Sequence, residues 1–146
     1  MTDPLAKLNG GDRRSIGRVA EVVSDVQADP ALFPVLFSGM LHADPLVRMR
    51  SADAVEKLTR KRPELLQPYA RRLLQEVAAS DQQEVRWHVA QLLPRLELEE
   101  SDRAAAVALL LGYLDDPSRI VRTFSLQALA EFALRYPTLR PRVMAV

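Results

Sequence analysis

Three valine–arginine pairs, Val47-Arg48, Val85-Arg86 and Val121-Arg122, stand 38 and 36 residues apart, and the same run of small and apolar residues follows each. After Val47 come Ser51, Ala52, Ala54, Val55 and Leu58; after Val85, Val89, Ala90, Leu92, Leu93 and Leu96. After Val121 come Ser125, Leu126, Ala128, Leu129 and Phe132. Three- and four-residue spacing of this kind lines one face of an α-helix. A worn copy precedes them, in which Ile16, Gly17, Val19, Ala20 and Val23 keep the offsets while Asp12-Arg13 replaces the Val-Arg pair. Self-similarity at this period constrains the fold strongly. One short amphipathic unit cannot bury its apolar face alone, so successive units must stack.

Each copy also predicts a second helix. Asp29-Pro30-Ala31-Leu32-Phe33-Pro34, Pro63-Glu64-Leu65-Leu66-Gln67-Pro68 and Pro137-Thr138-Leu139-Arg140-Pro141 are near-copies, with one proline ending the connection and another opening the helix. Proline suits a first helical position, where its missing N–H has no intrahelical use. In the third copy Glu97–Asp102 takes this place, with Ser101 as the expected cap and Asp102 suited to the positive helix start. Asp44-Pro45 and Asp116-Pro117 are expected to cap first helices. The pattern predicts first helices near 13–27, 45–61, 83–96 and 118–135, and second helices near 34–42, 68–79, 102–114 and 141–146. Strand signals are nearly absent. The expectation is an all-α chain, a single repeat domain over 1–146 with repeats near 12–43, 44–80, 81–114 and 115–146.

The run Asp-Pro-x-Val-Arg-x-x-Ser-Ala-x-Ala-Val, from Asp44 to Val55, resembles the first helix of HEAT repeats. The resemblance covers residues 12–146 and is strongest in the three later copies. The spacing is shorter than the roughly 40–47 residues of HEAT and armadillo units. The connections leave no room for the third helix of an armadillo unit, and the Trp, Gly and Tyr positions of tetratricopeptide repeats are missing. The resemblance implies a right-handed α-α superhelix of about four helix pairs. It further implies a non-catalytic scaffold whose second helices line a concave face and bind another protein. It assigns the recurrent Arg48, Arg86 and Arg122 to structure, with Asp44, Asp81, Glu84 and Asp116 as candidate acids.

Composition removes several alternatives. A 146-residue chain buries roughly two-thirds of its unfolded surface. Net charge is +1, so no global field gathers nucleic acid or a membrane surface. No apolar run approaches the ~20 residues that span a bilayer, and Met1-Thr2-Asp3-Pro4 does not resemble a signal peptide. The absence of cysteine excludes disulfides and thiolate zinc sites and fits a cytoplasmic protein. Basic residues are 17 Arg against 3 Lys, spread among acids except at Arg60-Lys61-Arg62 and Arg71-Arg72. That cluster is the basis of an alternative reading as a nucleic-acid-binding or repair-associated protein.

Catalytic motifs are missing. His42 and His88 fall in different helix pairs, and no His-x-x-x-His or paired His-Glu motif of the HEAT-like metal hydroxylases occurs. The aromatic and acidic residues of the HEAT-like DNA glycosylases have only Trp87 to match them. His88 beside Trp87 reads as part of a helix, and Glu97, Glu99, Glu100 and Asp102 as a solvated loop without calcium-loop spacing. No enzyme activity, cofactor or metal is expected.

Partner contacts are expected where the second helices differ. Arg71, Arg72 and Gln75 lie opposite an apolar stripe in the second copy, while matching positions hold Phe37 and Leu41 in the first and Val107 and Leu111 in the third. These seven residues are the candidate docking groove for a partner peptide or helix. Val143, Met144 and Val146 lack the polar outer face that closes a solenoid, which suggests self-association there or a block of a longer array.

Overall fold

A computed structural model describes residues 3–10 and 18–146. The described residues are all-helical: α1 (Pro4–Lys7), α2 (Val19–Ala28), α3 (Phe33–Ser38), α4 (Pro45–Thr59), α5 (Ala70–Gln75), α6 (Gln83–Leu92), α7 (Glu100–Tyr113), α8 (Arg119–Arg135) and α9 (Arg140–Met144). First and second helices follow one another in the predicted order from α2 to α9, the first helix being the longer in each pair except the third, where α7 (14 residues) exceeds α6 (10 residues). The worn-copy residues Asp12, Arg13, Ile16 and Gly17, and the start of its helix at 13, lie outside the described residues.

The ends of these helices follow from local chemistry. Asp44 accepts the Leu46 N–H at 2.9 Å and so caps α4, with Pro45 at the first helical position. At the equivalent place in the last copy the expectation is corrected. Asp116 accepts the Ser118 N–H at 2.9 Å, and Ser118 is the cap, accepting from Val121 at 3.3 Å. Ser101 is not a cap either. The helix begins at Glu100, two residues before the expected start, with extended Glu99 as its boundary, so Ser101 sits inside the first turn. Pro94 shortens α6, because it lacks the N–H that would continue the ladder; residues 93–95 tighten into a 3-10 turn.

Packing groups the chain into two compact units, residues 1–68 and 69–146. The boundary falls inside the second predicted repeat, within the second of the two 3-10 turns, Pro63–Leu65 and Gln67–Tyr69. In the first unit α4 rests on both α2 and α3, and α1 packs on the same two helices. Gly39 sits so close to α4 that a Cβ there would stand 2.0 Å from Ser51 Oγ and 2.6 Å from Leu5 Cδ2. Arg50 is buried beneath this contact, its Nη1 donating to the Leu8 carbonyl at 3.0 Å and to that of Gly10. Gly10 adopts φ +79°, a conformation glycine accepts without a Cβ clash.

The second unit repeats the packing rule of the first. Here α8 rests on both α6 and α7, just as α4 rests on α2 and α3. The residues that the two seated helices bury are the repeat itself: Val47, Ser51, Ala54, Val55 and Leu58 in α4, and Val121, Ser125, Ala128, Leu129 and Phe132 in α8. Tyr113 ties α7 to the turn after α5, donating from its hydroxyl to the buried Ala78 carbonyl at 2.6 Å.

Candidate functional site

The recurrent arginines build a repeated turn. Arg48 Nη1 donates to the carbonyls of His42 and Ala43 at 2.8 and 3.2 Å; Arg122 Nη1 donates to those of Asp116 and Pro117 at 2.7 and 3.1 Å. Arg86 Nη1 reaches the Ser80 carbonyl at 3.4 Å. In each turn the residue six before the arginine also accepts a backbone N–H two residues on: His42 from Asp44, Ser80 from Gln82, Asp116 from Ser118. His, Ser and Asp share one role because each offers a short-range acceptor. The ladder of arginines thus folds back on its own helix entrances.

One of them also reaches across. Arg86 Nε and Nη2 donate to Asp116 Oδ2 and Oδ1 at 2.7 and 3.1 Å, with both side chains mostly buried. Of the candidate acids, Asp116 pairs with Arg86, and Asp44 caps α4. Burial pushes the Asp116 carboxyl upward. The Arg86 guanidinium, the Ser118 N–H and the Arg122 charge outweigh it and hold the carboxyl below the ordinary carboxylate range.

The seven expected docking residues separate. Phe37 and Val107 are fully buried, so they are packing residues, and their place in a docking groove is corrected. The Phe37 ring packs tilted against Phe33, 6.5 Å between centroids, inside the first unit, and Val107 is part of the buried face of α7. Each such side chain contributes roughly 1.5–3 kcal/mol by leaving water. Leu41 is exposed, Leu111 half-buried, and Arg71, Arg72 and Gln75 exposed on α5. The apolar character of α7 is resolved by residue size: its solvent side is Ala105, Ala108 and Gly112, and its leucines turn inward or stay half-covered. In the basic cluster, Arg60 pairs with Glu56, Arg62 with Glu64 and Arg72 with Glu76, so neighbouring carboxylates neutralise much of its charge. His88 is buried with Nδ1 2.5 Å from the Glu84 carbonyl, and Trp87 lies against its ring at 5.6 Å. Among the described residues no group of three His, Asp or Glu side chains could hold a metal ion, and no helix is long and apolar enough to cross a membrane.

An open apolar groove lies between α8 and α9. A groove of about 500 Å³ is lined by Leu126, Leu129, Ala130, Ala133, Leu134, Val143, Met144 and Val146, with Arg140 on its wall. Leu134 and Met144 are 74% and 78% exposed. Arg140 is anchored by donating from Nε to the Ala133 carbonyl at 3.2 Å. Val143, Met144 and Val146 were singled out by the sequence; Leu126 and Leu134 were not. The signal for Leu126 was present, since the other strong copies hold alanine at its position, Ala52 and Ala90. No family model, curated protein or solved structure matches the chain.

Proposed function

We propose that this chain is a non-catalytic, HEAT-like α-solenoid scaffold that binds a partner protein, and that the partner docks in the α8–α9 groove. The observation that carries the reading is the groove itself, with large apolar side chains left in water on two adjoining helices. An exposed apolar surface of this kind is costly unless something covers it. The repeated arginines, the natural alternative site, are already engaged in turns and in the Arg86–Asp116 pair. The α5 face with Arg71, Arg72 and Gln75 is a polar surface beside this function rather than its centre.

Quantitative capture from native extract tests this, comparing the wild-type chain with Leu134→Glu/Met144→Glu and Arg71→Glu/Arg72→Glu. The substituted side chains are exposed, so all three chains are expected to keep the same helical circular dichroism. The partner should be retained by the wild type and the arginine variant and lost from the groove variant. Capture that survives the groove substitutions would sink the reading.

A further inference from the structure

We draw no further inference here: the strongest candidate, the apolar groove between α8 and α9, belongs to the site already described, and nothing in the structure shows what covers it.

Discussion

Arg86 and Asp116 form a two-point ion pair, at 2.7 and 3.1 Å, that fastens α6 to the turn opening α8. Both ends of the pair also hold backbone. Arg86 reaches the Ser80 carbonyl, and Asp116 takes the Ser118 N–H while its own carbonyl accepts from Arg122. A planar guanidinium fits this geometry and a lysine does not, since only the former donates in a fork.

Replacing Asp116 with Asn removes the charge from a mostly buried partner of Arg86. Asp116→Asn is expected to cost about 2–3 kcal/mol, read as a lower urea midpoint with an unchanged slope. Arg86→Lys should lose a large share of the same stabilisation.

The pair also sets an acid dependence. The Asp116 carboxyl is held below its ordinary range, so its contribution is fully present above the unfolded value of about 4 and is lost as pH falls through the folded value. Urea midpoints measured from pH 7 down to pH 2 should fall, and Asp116→Asn should flatten that decline.

The alkaline limb belongs to Tyr113. Burial pushes its hydroxyl up. Its stabilising hydrogen bond to Ala78 is therefore fully present below about pH 10, the unfolded tyrosine value, and declines as pH rises above it. Tyr113→Phe should lower stability at neutral pH by about 1 kcal/mol and remove this residue's part of the alkaline loss.

Gly39→Ala would place a methyl 2.0 Å from Ser51 Oγ, inside a contact that α4 cannot widen without moving. Destabilisation of about 1–3 kcal/mol is expected, seen as a lower thermal midpoint by circular dichroism.

Ser125→Ala should act in the opposite direction. Ser125 is fully buried and its hydroxyl has no hydrogen-bond partner, so the alanine removes an uncompensated polar group at little loss of volume. A gain of about 0.5–1 kcal/mol in urea unfolding is expected.

The sequence by itself determined the helices. Valine–arginine anchors at a regular spacing, apolar residues at helical intervals and prolines at helix openings act within one or two turns of chain, so α4 and α8 are legible to within two residues at their ends, while α6 starts at the expected Gln83 and stops at Leu92, short of the expected 96. Exposure was not legible, because it depends on which neighbour covers a face. Phe37 and Val107 occupied promising positions on second helices and are buried; Ala90 and Leu126 occupy one repeat position, yet one is buried and the other open. Asp116 read both as a helix cap and as one of four candidate acids for the recurrent arginines, and only packing decided that it binds Arg86, a residue 30 positions away, while Ser118 takes the cap. The α8–α9 groove and the division at Pro68 were likewise decided only by tertiary structure. Local periodicity specifies which side of a helix is apolar, but whether that side ends in core or in water is set by packing between elements distant in the chain.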